Sequence, residues 1–286
     1  MRRIFFLICA KQVRHCFYSL QNQIIRQLYR KVPILKSTFD IQFELRHYEM
    51  NKYGEASPAI MLALLEETAA EHCHSINYGL YDLLKQNIGW VLISGVMKME
   101  RYPKYKEKVL IRTWLSGYTN LKGFRENIIC DEQGRIIGRS RGLWMFFDIN
   151  RRRPARIFDD IKVKWSFYPE NALKHNLDNV IDTINSAEFV NEIRVKQSEI
   201  DIYQHANNIK YLLWLLDSVP EDVVDHNYLS FVDGRFLSEI HGGQEIIMLT
   251  TPNKTYNEFI HTIKIKGTDK ICATAMTTWK KRNNCF

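Results

Sequence analysis

A chain of 286 residues, 45% hydrophobic and 25% charged, has the composition of a globular protein and the length for one large domain or two ordinary ones. No apolar run reaches the roughly 20 residues that cross a bilayer, and the six cysteines show neither a CxxC pair nor a disulfide-framework spacing, as expected of reduced thiols. The net charge of +8 is uneven: eight of the 40 Lys/Arg and none of the 32 Asp/Glu fall within residues 1–39. The remainder is electrically balanced, which argues against a nucleic-acid-binding core.

The basic tail, residues 1–39, comes first. Phe17, Leu20, Ile24 and Leu28 recur in it at helical spacing, with Arg14, Arg26, Arg30 and Lys31 elsewhere round the helix. An acid-poor, Arg-rich amphipathic segment fits an organelle transit peptide, a membrane-surface helix or a dispensable extension alike. Next, Ile41, Phe43 and Leu45 alternate as on a strand. Ser57 before Pro58 is a helix-start signal, since Ser caps the free amides and Pro has none to lose. "AIMLALLEETAAEHC" then reads as a helix apolar on nearly every side, so sheet should wrap around it. Four strands follow, "WVLISGVMKMERY", "KVLIRTWL", "FRENIICD" and "RIIGRSRGLWMFFD", the last two joined by the turn signal "DEQGR". Residues 166–188, rich in Asn and Asp, read as a connector.

Beyond the connector the plan recurs. Ile193 and Val195 alternate, Asn207 or Asn208 supplies a cap, and "IKYLLWLLDSV" forms a helix stopped by Pro220. With an offset of 150, Glu49, Tyr53, Ala56, Leu62 and Leu65 meet Glu199, Tyr203, Ala206, Leu212 and Leu215; with an offset of 135, Trp144 meets Trp279. These ordered matches identify two copies of one unit. The expected class is α+β, each copy a curled antiparallel sheet around a central helix. The expected division is an N-terminal unit at 40–165, the connector, and a C-terminal unit at 189–286.

The chemistry concentrates where the second helix begins, in "EIDIYQHANNIKYLLWLLDSVP". A helix N-terminus offers unpaired N–H groups and partial positive charge to a developing oxyanion. His205 exchanges protons near neutrality, and Asp201, four residues earlier, orients the imidazole if the turn folds back. The first copy has Asn51, Glu55 and Ser57 at the positions of Asp201, His205 and Asn207, so the second copy is expected to be catalytic.

Over residues 40–281 the chain resembles the acyl-ACP thioesterases, tandem "hot dog" proteins that release fatty acids from acyl carrier protein. The resemblance rests on "RYPKYKEKVLIRTW", "FRENIICDEQGRIIGRSRGLW", Trp90, "DIYQHANNIKYLLWLLDSVP" and "FLSEI". It implies catalytic roles for Asp201, His205 and Glu239, with Glu239 a general base for water or a carboxylate nucleophile, and neither metal nor cofactor. Tyr203, Asn207 and Asn208 are implied to bind substrate, and Met61, Leu65 and Trp90, with Leu64, to house the acyl chain. Two positions depart from the pattern: Tyr203 replaces an Asn, and Ile240 replaces a Cys, which removes any thiolate nucleophile there.

The implied partner is the acidic acyl carrier protein, received transiently by "NRRRPAR" (150–156), Lys162, Lys164 and Lys210. The implied state is monomer or homodimer, and the implied location is the bacterial cytoplasm, or a plastid if the tail is a transit peptide. The alternatives are an acyl-CoA thioesterase of the same fold and a non-catalytic acyl-thioester-binding protein. "GRSRG" around Ser140 mimics a nucleophile elbow but is followed by strand rather than helix, and the adjacent ligand types of "EHCH" diverge on a helix.

Overall fold

A computed structural model describes residues 37–255 and 257–282; the expectations attached to residues 1–36 lie outside them. The first half comprises β1 (Thr38–Glu44), α1 (Pro58–Ser75), α2 (Leu80–Leu84), β2 (Ile88–Met99), β3 (Lys108–Tyr118), β4 (Lys122–Cys130), β5 (Ile136–Asp148), β6 (Arg153–Pro154) and α3 (Asp159–Lys164). The second comprises β7 (Phe189–Arg194), α4 (Asn208–Leu216), α5 (Glu221–His226), β8 (Asn227–Phe236), β9 (Glu245–Pro252), β10 (Glu258–Ile265) and β11 (Ile271–Lys281).

The strands form one sheet in the order β1-β3-β4-β5-β2-β8-β11-β10-β9-β7, with β6 paired to β5. Read outward from the β2–β8 seam, the two halves have the same order. The seam runs antiparallel from Ser94↔Arg235 to Lys98↔Phe231 and sets Gly95 opposite Gly234. This is the tandem hot-dog architecture of class α+β. "GRSRG" lies within β5, where Ser140 pairs with Met97 and Asn127.

Each long helix is swallowed by its half of the sheet. Ser57 caps α1 by accepting from the Ile60 amide at 3.2 Å, with Pro58 opening the helix. Met61, Leu64 and Leu65 then pack against Leu45, Met97, Met99, Val109, Ile111 and Ile129. On α4, Tyr211, Trp214 and Leu215 pack against Val195, Ile246, Met248 and Ile263. Each such burial stabilises by roughly 1.5–3 kcal/mol, and the two helices touch each other. One expectation is corrected here: Met61 and Leu65 belong to the first-half core and are 0% and 4% exposed. Helical spacing marks them as inward-facing but does not distinguish sheet from cavity.

No helix or strand occurs at 165–188, yet this segment is pinned to the sheet. Leu177 is buried and its carbonyl accepts from Ser94 Oγ at 2.7 Å, Ala172 N–H donates to Glu126 Oε2 at 2.9 Å, and His175 Nε2 lies 2.8 Å from Asp233 Oδ2. It straps the outside of the seam.

Candidate active site

The turn before α4 is built by its own side chains. The Asp201 amide donates to the His205 carbonyl at 2.8 Å and the Gln204 amide to the Asp201 carbonyl at 3.0 Å. Gln204 takes φ +66°, the left-handed conformation that such a tight reversal demands. Asp201 Oδ1 accepts from the amides of Tyr203 at 2.8 Å and His205 at 3.5 Å. The carboxylate therefore braces the turn that carries His205; no hydrogen bond joins it to the imidazole among the described residues, contrary to expectation. A side chain one residue inside a tight turn reaches its backbone amides first. Burial raises the Asp201 pKa against the pull of those amides.

Asn207 is the cap of α4, its Oδ1 accepting from the Ile209 amide at 2.8 Å, while its carbonyl accepts from the Lys210 amide. The Asn208 amide has no acceptor among the described residues, so the helix presents one free N–H at its first position. The Ala206 amide donates to the Ile240 carbonyl at 2.8 Å and the Tyr211 hydroxyl to the Ser238 carbonyl at 3.3 Å. These bonds clamp the 237–241 segment to the helix start.

The clamp brings Glu239 to His205. Its Oε2 lies 3.2 Å from His205 Nε2, and the Arg152 guanidinium, from the turn after β5, pairs with the same oxygen. Ile240 points the other way, fully buried in the core. Burial lowers the His205 pKa, opposed by the Glu239 charge, which favours a neutral imidazole able to accept a proton. The His241 ring meets that of His205 edge-on, centroids 5.1 Å apart.

These groups line a cavity of about 820 Å³ that crosses from the second half into the first. At the reactive end stand Asp201, Tyr203, His205, Asn207, Asn208, Glu239 and His241; the apolar end is walled by Ala69, Ala70, Leu83, Trp90, Leu92, Leu115 and Trp165. Tyr203 packs so tightly on Gly89 of β2 that a Cβ there would sit 2.9 Å from its ring. Burial pushes the phenol pKa up to about 12, so it stays a neutral hydrogen-bonding group. A charged group in the far wall is Arg125, buried, donating to Thr113 Oγ1 at 3.1 Å and lying 5.3 Å over Trp165.

The structure thus brings together Asp201, His205, Glu239, Tyr203, Asn207, Asn208 and Trp90, and leaves Met61 and Leu65 outside. Two lining groups, His241 and Glu66, escape sequence reasoning, and a third, Arg152, figures in it only as part of the basic run 150–156 and not as a partner of Glu239. Arg152 and His241 sit in loops without periodic signal. Glu66 lies on α1, one residue beyond Leu65, and its Oε1 is buried without a hydrogen-bond partner. Burial raises its pKa to about 7, with Asn208 opposing and the Asp201 charge adding. A charged residue inside an apolar helical run was the available clue.

Models of two protein families match the chain: the acyl-ACP thioesterase N-terminal domain over residues 36–165 and the acyl-ACP thioesterase C-terminal domain over 183–281. The chain is similar to oleoyl-acyl carrier protein thioesterase 1, chloroplastic, of Arabidopsis thaliana, 21% identical over 84% of this chain and 75% of that one. It is also similar to the palmitoyl-acyl carrier protein thioesterase, chloroplastic, of Gossypium hirsutum, 27% identical over 77% of this chain but only 56% of the relative. In fold it resembles the 12:0-ACP thioesterase from Umbellularia californica, with a TM-score of 0.77, 21% identity, and 86% and 94% of the two chains covered. An acyl-ACP thioesterase from Bacteroides thetaiotaomicron gives a TM-score of 0.75 at 21% identity, over 85% of this chain and 98% of that one.

Proposed function

The chain belongs to the acyl-ACP thioesterase family, and on that premise we propose that it hydrolyses the thioester of a fatty acyl-ACP to free fatty acid and holo-ACP. The observation that carries this reading is the meeting of His205 and Glu239, 3.2 Å apart, beside the free Asn208 amide at the mouth of an apolar cavity.

In this reading the acyl chain lies against Trp90 and the apolar wall of the first half, with its thioester at the start of α4. Glu239 holds the imidazole and balances its positive charge while His205 takes a proton from water. The water oxygen attacks the carbonyl carbon. The carbonyl oxygen gains negative charge and is met by the Asn208 N–H and the helix dipole. As the C–S bond breaks, the imidazolium returns its proton to the departing thiolate. Asp201 keeps the turn in shape, and the neutral Tyr203 offers a hydroxyl to the substrate. Arg125 ends the apolar wall with a charge that disfavours methylene groups, and so sets a ceiling on chain length.

The 150–156 run supports reception of an acidic carrier. Arg152 stands at the cavity mouth, while Arg151, Arg152 and Arg156 are mostly solvent-facing. Asp159 and Asp160 offset part of the charge of Arg156, Lys162 and Lys164. The unit at 40–165 would then serve as acyl pocket and the unit at 189–286 as the source of catalytic groups. The relatives' chloroplastic names, with the basic composition of the tail, favour plastid over cytoplasm.

The test is release of fatty acid and thiol from an acyl-ACP panel, run beside the matching acyl-CoA esters. Turnover on ACP esters that collapses in His205→Ala supports the proposal. Equal or better turnover of CoA esters moves the substrate to the acyl-CoA class. Binding without thiol release would reduce the protein to an acyl-thioester carrier.

A further inference from the structure

We propose that His205, Glu239 and His241 form a binding site for a divalent transition metal of the zinc type, and that occupancy of this site shuts off the hydrolytic machinery. One ring nitrogen of each histidine and one oxygen of the glutamate all lie within 4.8 Å of one another. Zinc binds nitrogen and oxygen at about 2.0–2.2 Å, so neighbouring ligands of a tetrahedral ion stand about 3.3 Å apart. The His205–Glu239 separation of 3.2 Å already has that length. The remaining separations need to close by no more than about 1.5 Å, a small rotation for side chains at a cavity mouth.

The surroundings fix the ligands rather than leaving them loose. The Ala206–Ile240 backbone bond ties together the two segments that carry them. The His241 amide donates to Gln244 Oε1 at 2.7 Å. Its Nδ1 lies 3.2 Å from the Gln204 carbonyl, a contact that only an N–H can make favourably, which assigns the proton to Nδ1 and the lone pair to Nε2. A backbone carbonyl behind an imidazole is the usual outer support of a metal-binding histidine. Two imidazoles and one carboxylate select zinc, cobalt, nickel or copper over magnesium and calcium, which prefer all-oxygen sites. The cavity leaves the fourth position open to water or to an anionic group of a ligand.

Arg152 competes. Its guanidinium occupies Glu239 Oε2, but its side chain is 57% exposed, so solvent weakens the pair and the arginine can swing away. The metal site is peculiar to this chain's second half. The matching bonds, Ala56 N to Pro103 O and Ala206 N to Ile240 O, align Glu55, Tyr102 and Lys104 with His205, Glu239 and His241, and that trio cannot hold a cation in this way.

The experiment uses the full chain and Co²⁺ as probe, because four- or five-coordinate Co²⁺ absorbs visible light far more strongly than the aqueous ion. One equivalent should produce a visible band that Zn²⁺ displaces. His241→Asn, whose Zn²⁺ response is read against its own metal-free rate, should weaken Co²⁺ binding at least about tenfold, and Arg152→Ala should tighten it. Zn²⁺ should suppress fatty acid release from acyl-ACP in the wild type, reversibly on chelation, and much less in His241→Asn. Absence of a visible band overturns the site, as does a band that survives both His241→Asn and Glu239→Gln. Metal binding without loss of turnover overturns the inhibitory role. The Co²⁺ band reads the site directly, so a failure here leaves the thioesterase proposal standing, and the reverse also holds.

Discussion

In the second half the Asp201 amide meets the His205 carbonyl at 2.8 Å; in the first, the Asn51 amide meets the Glu55 carbonyl at the same distance. Asp201 Oδ1 accepts from the amides two and four residues on, and so does Asn51 Oδ1, at 2.9 and 3.4 Å. Gly54 and Gln204 take φ +71° and +66°. The two turns are one backbone device used twice. The helix that follows begins with Asn208 in one half and Pro58 in the other, so the first half has no amide hydrogen where the second has a free one. Its polar groups are also consumed: Arg282 pairs with Glu55 and lies 3.8 Å over the Tyr53 ring, while Lys52 and the Tyr53 hydroxyl both engage Asp225 at 2.6 Å. A helix-start turn is thus a structural part until a donor, a base and an open cavity coincide on it.

The comparison breaks most decisively if the second turn is stripped of its chemistry without effect. His205→Ala and Glu239→Gln should each lower kcat on acyl-ACP by about 10²–10⁴, measured as thiol release. Next is Asn208→Pro, which rebuilds the first half's helix start in the second. Loss of the N–H should cost about 10²–10³ in kcat with little change in melting temperature. Asn208→Ala keeps the amide and should lose much less; equal losses would move the oxyanion donor elsewhere.

Breaking the first half's plug should do the opposite. Glu55→Ala strands the Arg282 guanidinium and should cost roughly 2 kcal/mol in denaturant unfolding, with hydrolysis per folded molecule unchanged. A drop in turnover would mean that the first turn takes part in the reaction.

A pH-dependent effect of similar size to that of Glu55→Ala sharpens the role of Glu66. Its pKa is raised from 4.5 to about 7, so between those pH values the native state holds a proton that the unfolded state has lost. Stability from this group is full below about 4.5 and declines as pH rises through about 7, by roughly 1–3 kcal/mol in all. Glu66→Gln should flatten that decline in unfolding midpoints measured from pH 4.5 to 8. Activity retained in Glu66→Gln but lost in Glu66→Ala would mark a neutral carboxyl that supports Asn208.

Much of this was legible in the residues. The 150-residue offset, the Ser57-Pro58 and Asn207 caps, and the alternating strands all encode local geometry, and the helices start where those caps put them. The segment around His205 carried both its chemistry and its resemblance. The short helices α2, α3 and α5 escape the sequence reading because five- and six-residue helices leave no periodic signal. Met61 and Leu65 were assigned to the pocket because an inward-facing residue looks the same in sequence whether it meets a strand or a void.

What the sequence determined by itself is therefore the local part: which turns repeat, which helix end lacks an N–H, which half owns a histidine. Only the tertiary structure decided that Glu239 reaches His205 across the 206–240 backbone bond, that Arg152 arrives from the other half, and that Glu66 faces the cavity while Leu65 does not. The reason is physical. Caps and alternation are set by interactions over a few residues, whereas the site is assembled by the β2–β8 seam and the α1–α4 contact, which join segments more than a hundred residues apart.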